Sequence, residues 1–232
     1  MNILALDTSG KQAGAAIMDE YITIGEIVIN AQSGPKTWHH SEILMPAIER
    51  MFALSGYELA DMDYVAYTAG PGSFTGLRIG AATALGLARG IDKPAIAVPT
   101  LDALAYNVMS AETHGTIVPM MDARRGQVYT AIYTWGPQRL TEYMALPVEE
   151  VIEMLDGYAS PVIFLGDGAD EYRDVILSKA PWAIFAPQNA NRQRPSSVGL
   201  CAMHMLKGGP PPETVELIYV RDPQAVRAAK KS

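Results

Sequence analysis

Two aspartates each follow an apolar run and precede a short turn, a spacing that could serve phosphate chemistry. The first turn is Asp7-Thr-Ser-Gly10 and the second is Asp122-Ala-Arg-Arg-Gly126. Small residues in such a turn let backbone N–H groups approach a phosphate, and a neighbouring carboxylate can hold Mg²⁺ through water. The first turn keeps this pattern, with Asp7 and Gly10 as its candidate cofactor-binding residues. The second carries two large side chains, so we predict only vestigial nucleotide binding.

A glycine-rich string between a strand and a helix is the most informative feature of the chain. It runs Ala69-Gly-Pro-Gly-Ser-Phe-Thr-Gly-Leu-Arg-Ile-Gly80. Backbone amides in such a turn can point at an anion. The spacing matches neither the Walker loop nor the dinucleotide fingerprint, and Ser73 lacks the Gly-x-Ser-x-Gly elbow of a hydrolase nucleophile. The loop alone therefore does not identify a reaction.

Side chains that bind metals are few and scattered. His39 and His40 are adjacent and would diverge on a helix or strand, while His114 and His204 stand alone. The single Cys201 cannot form an internal disulfide and is predicted to be a buried, inert thiol. We therefore predict no metal site, and a cytoplasmic location.

Composition limits the remaining possibilities. The 232 residues are 49% hydrophobic, enough for one large domain or two lobes. No apolar stretch reaches the roughly 20 residues of a membrane span, and the N-terminus resembles a strand rather than an export signal. The net charge of −7 disfavours autonomous RNA binding. The basic residues cluster at Arg124-Arg125, at Arg192 with Arg194, and in a tail at 227–231 that we predict to be partly disordered.

Strands and helices alternate along the chain, which indicates the α/β class. Apolar runs at residues 3–6, 13–18 and 22–29 predict an antiparallel meander. A helix is predicted from about Ser41 to a stop at Gly56. The order of strand, aspartate turn and strand occurs at residues 3–18 and again at 117–132, which indicates an internal duplication.

Six further strings occur in order along nearly the whole chain. They are Asn2-Ile-Leu-Ala-Leu-Asp-Thr-Ser9, His40-Ser-Glu-Ile-Leu-Met-Pro46, Val98-Pro-Thr-Leu-Asp-Ala-Leu104, Met121-Asp-Ala-Arg-Arg-Gly-Gln-Val-Tyr129, Gly166-Asp-Gly-Ala169 and Ile218-Tyr-Val-Arg221. With the glycine-rich loop, this combination resembles the TsaB (YeaZ) family. The resemblance implies the two-lobed actin-like fold of sugar kinases and the Hsp70 ATPase domain, a duplicated RNase H-like fold with a shortened second lobe. It implies a first lobe at 1–108, a second at 109–190, and a C-terminal segment at 191–232 that packs back on the first.

The same resemblance implies a role in tRNA modification. A TsaB-like chain would be a non-catalytic subunit needed for threonylcarbamoylation of N6 of adenosine 37 in tRNAs reading ANN codons. It would stabilise and orient the catalytic paralogue TsaD, help to recruit the ATPase TsaE, and form a homodimer when alone. The resemblance implies contact with tRNA only through the complex, no membrane, and no cofactor held by this chain alone. Whether a nucleotide binds at a boundary between subunits stays open.

Comparison with that paralogue explains why we expect no catalysis. TsaD carries a metal motif of His-x-x-x-His spacing, and two imidazoles four residues apart can bind one metal. At the matching positions this chain has Thr100 and Leu104. Gly166-Asp-Gly168 resembles the place where kinase relatives hold adenine, but a strand-to-helix turn needs no ligand. The chain is therefore predicted to be a pseudo-enzyme.

A stripe of small residues suggests close helix packing. It consists of Gly76, Gly80, Ala84 and Ala88, and it could pack inside its own domain or at a subunit interface. The resemblance implies pairing through the helices of the first lobe. The interface residues we predict are Leu44, Ile48, Met51, Leu77, Gly80 and Ala84.

Two other functions stay open. The chain could be an ATP-dependent kinase or hydrolase of the actin-like fold that uses Asp7 and Asp122. It could also be a free-standing homodimeric binding module. Nucleotide affinity of the isolated chain tests the first of these, and co-purification with TsaD tests the second.

Overall fold

A computed structural model describes residues 1–31, 37–109, 114–136, 138–211 and 216–221, which form eleven strands and seven α-helices. In chain order these are β1 Ile3–Asp7, β2 Gln12–Met18, β3 Thr23–Asn30, α1 His40–Ser55, β4 Tyr64–Gly70, α2 Phe74–Gly90, β5 Ala95–Pro99, α3 Thr100–Ala105, β6 Thr116–Asp122, β7 Gln127–Thr130, β8 Tyr133–Thr134, β9 Met144–Pro147, α4 Val148–Met154, β10 Val162–Leu165, α5 Asp167–Glu171, α6 Arg173–Lys179, β11 Ile184–Phe185 and α7 Pro195–Lys207.

The chain divides into two units. Unit 1 comprises Met1–Ala103 and Gln193–Leu217, and unit 2 comprises Leu104–Arg192 and the described residues from Ile218 onward. The predicted lobe boundaries lie after residues 108 and 190, and the observed changes of unit lie after residues 103 and 192. None of the helices in the described part of the chain is long and apolar enough to cross a membrane.

Unit 1 is built on a five-stranded sheet in the order β3-β2-β1-β4-β5. The first three strands are antiparallel neighbours, so the predicted meander is confirmed. Strands β4 and β5 run parallel to β1. Both faces of β1 are covered, because every one of its residues is buried. A central strand of this kind is a near-continuous apolar run in the sequence.

Helices cover both faces of this sheet. One face carries α1 and α2, whose apolar residues share a core cluster with Leu4, Leu6 and Ile17. The opposite face carries α7, where an added Cβ on Gly199 would lie against Met18 and 3.4 Å from the Cβ of Ala5. The C-terminal helix therefore returns to the first sheet.

The ends of α1 show why the sequence forms a helix here. Its N-cap is His39 rather than Ser41, because the Glu42 carboxylate accepts the His39 backbone N–H at 2.8 Å. The helix ends at Gly56, whose φ of 75° lies in the left-handed region that glycine adopts most easily. The stop signal is thus confirmed, and the start lies slightly earlier than predicted.

Unit 2 repeats the topology of unit 1. Its sheet has the order β9-β7-β6-β10-β11, with β8 pairing β6. The β6–β7 and β7–β9 pairs are antiparallel, and β10 runs parallel to both β6 and β11. Each pair matches its counterpart in unit 1, which confirms the duplicated fold. The helices of unit 2 are shorter: α4 has 7 residues and α5 has 5, whereas α1 has 16 and α2 has 17.

The last described residues differ from the expectation that 191–232 returns as a whole to the first lobe. Residues 218–221 belong to unit 2. There the Arg221 Nη1 donates a hydrogen bond to the carbonyl oxygen of Ala123 at 2.8 Å. The predicted basic tail at 227–231 lies outside the described residues.

Candidate functional site

The Asp7 carboxylate holds its own turn. Its Oδ1 accepts hydrogen bonds from the backbone N–H and the hydroxyl of Ser9, both at 2.8 Å. The side chain is only 3% exposed, and Oδ2 is buried without a hydrogen-bond partner. Burial raises the pKa of Asp7 to about 6, although the bonds from Ser9 act in the opposite direction. This carboxylate is therefore costly to ionise.

The glycine-rich loop packs against the same turn. Ser73 donates its backbone N–H to the carbonyl oxygen of Ser9 at 2.7 Å, and Thr8 donates its hydroxyl to the carbonyl of Gly76 at 2.8 Å. An added Cβ on Gly76 would collide with the Thr8 carbonyl oxygen, and one on Gly80 would collide with the Thr8 hydroxyl. These glycines therefore let α2 approach the Asp7 turn closely.

Backbone donors of the loop already have protein acceptors. The Gly70 N–H bonds to Thr100 Oγ1 at 3.2 Å, and the Gly76 N–H bonds to the Ser73 hydroxyl at the start of α2. The Ser73 N–H is also bonded, to the carbonyl oxygen of Ser9. Three loop amides that could have bound an anion therefore donate their hydrogen bonds to protein acceptors instead. The loop connects β4, α2 and the first turn.

A nucleotide with its metal fits this turn poorly. An added Cβ on Gly10 would lie 3.0 Å from Oε1 of the buried Gln193, so that side chain covers the turn. Across the described residues, no three His, Cys, Asp or Glu side chains come together as a possible metal site. Asp7 then offers one unpaired carboxylate oxygen, whereas Mg²⁺ prefers six oxygen ligands. The assignment of Asp7 and Gly10 to a cofactor stays a prediction.

The second aspartate turn is a closed hairpin. Asp122 Oδ1 accepts the backbone N–H of Arg124 at 2.7 Å and the hydroxyl of Tyr172 at 3.3 Å. Burial and the charge of Asp122 raise the pKa of Tyr172. Arg124, Arg125 and Gly126 have φ values of 61°, 60° and 74°, and both arginine side chains are exposed. The turn has no row of small residues to surround a phosphate.

The Gly166-Asp-Gly168 turn is likewise held by protein groups. Gly166 donates its N–H to the Asn191 side chain at 2.9 Å and to its carbonyl oxygen at 3.1 Å. An added Cβ on Gly168 would lie 2.9 Å from the backbone of Met121. These contacts account for both glycines without a ligand.

Residues at the positions of the paralogue's metal motif are core residues. Within unit 1, the hydroxyl of Thr100 accepts the Gly70 N–H and the side chain is fully buried. Within unit 2, Leu104 is buried, and its Cδ2 lies beside Gly166. Cys201 is buried as predicted, and burial with the nearby Asp102 raises the pKa of its thiol.

The residues predicted for a subunit interface are all buried in unit 1. They are Leu44, Ile48, Met51, Leu77, Gly80 and Ala84. Their side chains are covered because both helices turn these faces toward the sheet. An interface on α1 or α2 must therefore use other residues, which is a correction of the residue choice. The stripe of small residues serves packing inside unit 1.

A different face of α2 is exposed. Its residues, called here the pairing face, are Phe74, Arg78, Ala82, Leu85 and Gly86. Phe74 is 38% exposed and Leu85 is 42% exposed. The Arg78 guanidinium carbon lies 3.8 Å from the centroid of the Phe74 ring. Helical spacing connects the residues of this face as well as those of the buried one, and sequence reasoning chose the buried one.

Two sheets of matching order, each with its helices, define the class of two-lobed actin-like and sugar-kinase proteins. The ROK hexokinase from Thermus thermophilus aligns with a TM-score of 0.54 at 14% identity, covering 90% of this chain and 100% of that one. A Pseudomonas aeruginosa protein described as similar to the peptidase YeaZ aligns with a TM-score of 0.75 at 24% identity, covering 95% and 99%.

Sequence comparison narrows the class to a family. A family model described as "TsaD: tRNA N6-adenosine threonylcarbamoyltransferase" matches residues 35–222. The tRNA threonylcarbamoyladenosine biosynthesis protein TsaB of Bacillus subtilis (strain 168) is 34% identical over 179 residues, 76% of this chain and 75% of its own. TsaB of Escherichia coli (strain K12) is 35% identical over 133 residues, 57% of this chain and 55% of its own. The chain belongs to the TsaB (YeaZ) family.

Proposed function

We propose that this chain is a non-catalytic subunit needed for threonylcarbamoylation of N6 of adenosine 37 in tRNAs reading ANN codons. Membership of the TsaB (YeaZ) family supports a role in the biosynthesis of threonylcarbamoyladenosine in tRNA. The observation that carries the non-catalytic role is the burial of Thr100 and Leu104, where the catalytic paralogue has histidines. Neither a hydroxyl already bonded to a backbone amide nor an aliphatic side chain can replace an imidazole ligand.

The proposed task of the subunit is to hold and orient TsaD, and with it to recruit TsaE. The pairing face of α2 suits this task. Ala82 and Gly86 leave room for another helix to approach closely, and the exposed parts of Phe74 and Leu85 would lose contact with water. In the absence of TsaD, the same face would pair two copies of this chain.

The test is in vitro modification of tRNA by TsaD and TsaE, given the threonylcarbamoyl-adenylate donor, with and without this chain. We expect modification only when the chain is present. Equal modification in its absence would contradict the proposal. ATP turnover by the isolated chain that is lost on Asp7→Ala would instead favour the kinase or hydrolase interpretation.

A pair of matched variants tests the pairing face. Leu85→Arg places a charge on that face, while Leu200→Arg places one on α7 at a leucine of similar exposure, 46% against 42%. We expect the first variant to lose co-elution with TsaD and the second to retain it, with both chains folded by circular dichroism. Retained co-elution of Leu85→Arg would move the interface elsewhere.

A further inference from the structure

We infer that three arginines of unit 2 bind the phosphate backbone of RNA, and this inference rests on the proposed function in tRNA modification. The arginine cluster consists of Arg124, Arg125 and Arg221. Arg124 and Arg125 are adjacent and exposed at the tip of the β6–β7 hairpin. Arg221 reaches the same turn, because its Nη1 donates to the Ala123 carbonyl oxygen at 2.8 Å. Two distant parts of the chain thus bring three guanidinium groups to one turn.

Positive charge in this cluster is not neutralised by ion pairs with carboxylates of the described residues. Among the described residues, none of the three guanidinium groups has an ion-pair partner, whereas Arg173 and Arg192 both pair with Asp170. The neighbouring Asp122 uses its Oδ1 for the Arg124 backbone N–H and the Tyr172 hydroxyl. In a chain of net charge −7, this is a local concentration of positive charge. The sequence continues beyond Arg221 with Asp222 and then with three basic residues: Arg227, Lys230 and Lys231.

The backbone gives an independent reason to look for a function here. Arg124 and Arg125 have φ values of 61° and 60°, a left-handed conformation that is unfavourable for most L-residues and that glycine, asparagine and aspartate adopt more easily. The Gln127 backbone N–H donates to the Arg124 carbonyl oxygen, so Arg125 and Gly126 are the central residues of a turn in which Asn followed by Gly is favoured. Gly at position 124 and Asn at position 125 would therefore suit this backbone better than two arginines. The side-chain chemistry of arginine, rather than the turn, accounts for their presence.

Guanidinium groups suit phosphate in particular. Each is planar, stays charged at all physiological pH values, and can donate two parallel hydrogen bonds to phosphate oxygens. Three groups at one turn can follow successive phosphates without reading the base sequence. An acidic chain with one such cluster would bind RNA weakly alone and add to the affinity of an assembled complex. The cluster is therefore a positioning surface for tRNA, and it takes no part in bond formation.

The test is a fluorescence-anisotropy titration of unmodified tRNA with the purified complex of this chain and TsaD, at several salt concentrations. The test variant is Arg124→Gly with Arg125→Asn, which removes two charges and gives the left-handed positions residues that adopt them more easily. The control is Lys179→Gln with Lys207→Gln, which removes two exposed charges elsewhere. We expect the test variant to raise Kd about tenfold. We also expect the negative slope of log K against log salt, with K the association constant, to become shallower by about 1.5, because each phosphate contact contributes about 0.7–0.9 to its magnitude. The control should match the wild type.

Stability separates a binding role from a structural one. The test variant should melt at the same temperature as the wild-type chain or higher, because Asn and Gly suit the turn better. A lower Tm, or unchanged Kd and salt slope, would overturn the inference. Loss of TsaE association with unchanged tRNA affinity would also overturn it, since the cluster would then bind a protein.

The same experiment distinguishes this inference from the proposed function. Co-elution of the test variant with TsaD should equal that of the wild type. If the wild-type chain fails to associate with TsaD, the proposed function is wrong. If the wild-type complex forms and binds tRNA while the test variant binds equally well, only the arginine cluster is wrong.

Discussion

Thr8 and Gly76 are joined by a hydrogen bond of 2.8 Å, from the threonine hydroxyl to the glycine carbonyl oxygen. This bond fastens the turn after β1 to the first turn of α2. It requires a helix without side chains on the facing side, and the glycines there provide one. A pattern that suggested a subunit interface is thereby explained by packing within unit 1.

Two glycines of α2 should respond oppositely to alanine. Gly80→Ala places a methyl group against the Thr8 hydroxyl and should destabilise unit 1 by about 2 kcal/mol. Gly86→Ala meets no atom within 4 Å and should stabilise the helix by about 1 kcal/mol. Urea unfolding of the isolated chain, at a concentration low enough for it to be monomeric, measures both. Equal effects would show that the Thr8 contact does not limit the approach of α2.

The buried Asp7 should make stability depend on pH. Its pKa is raised from 3.8 to about 6, so the folded state binds the proton of the Asp7 carboxyl group more tightly than the unfolded state does. The stabilising contribution is fully present below about pH 4 and is lost as pH rises through 6. Asp7→Asn removes the cost of ionisation and should stabilise the chain by about 2–3 kcal/mol at pH 8, with little effect at pH 4. Thermal melts across this range measure it, and a pH-independent difference would contradict it.

Glu26 should show the opposite dependence. Burial opposes its ionisation, but hydrogen bonds from Arg194 and from the backbone and hydroxyl of Ser196 outweigh it and lower the pKa. Its contribution is present above the usual range near 4.5 and is lost as pH falls through the lowered value. Glu26→Gln should lower the free energy of unfolding by about 2 kcal/mol at pH 7, because the charged hydrogen bonds that hold the start of α7 to β3 are lost.

A surface glutamate provides the control for that prediction. Glu142 faces Arg139 at 3.9 Å and its side chain is 92% exposed. Glu142→Gln should therefore change stability by less than about 0.5 kcal/mol. Chemical unfolding at pH 7 and at pH 4 compares the two variants. Similar losses at both positions would mean that the carboxylate of Glu26 is not a specific anchor.

Cys201 should be unreactive in the folded chain. It is buried on α7, and burial raises the pKa of its thiol, so little thiolate is present at neutral pH. We expect a thiol reagent such as DTNB to label it only when urea unfolds the chain. Rapid labelling of the native chain would show that α7 leaves the sheet readily.

Much of the fold could be predicted from local signals. The meander and the stop at Gly56 follow from apolar runs and one glycine, because these features depend on residues near each other in the chain. The repeated order of strand, aspartate turn and strand predicted a duplication that the matching sheets confirm. The residue types at Thr100 and Leu104 also differ from the two histidines that the resemblance implies for the paralogue, and this difference needs no structure to be seen.

Burial could not be predicted in the same way. Helix α2 carries two stripes of small and apolar residues: one contains Gly76, Gly80 and Ala84, and the other contains Ala82 and Leu85. Periodicity describes both stripes and does not say which meets the sheet. The position of Thr8, nearly seventy residues away in sequence, decided it by admitting only the face with glycines. The sequence alone determined the family and the elements, and the tertiary structure decided which surfaces remain available, because exposure depends on contacts between residues far apart in the chain.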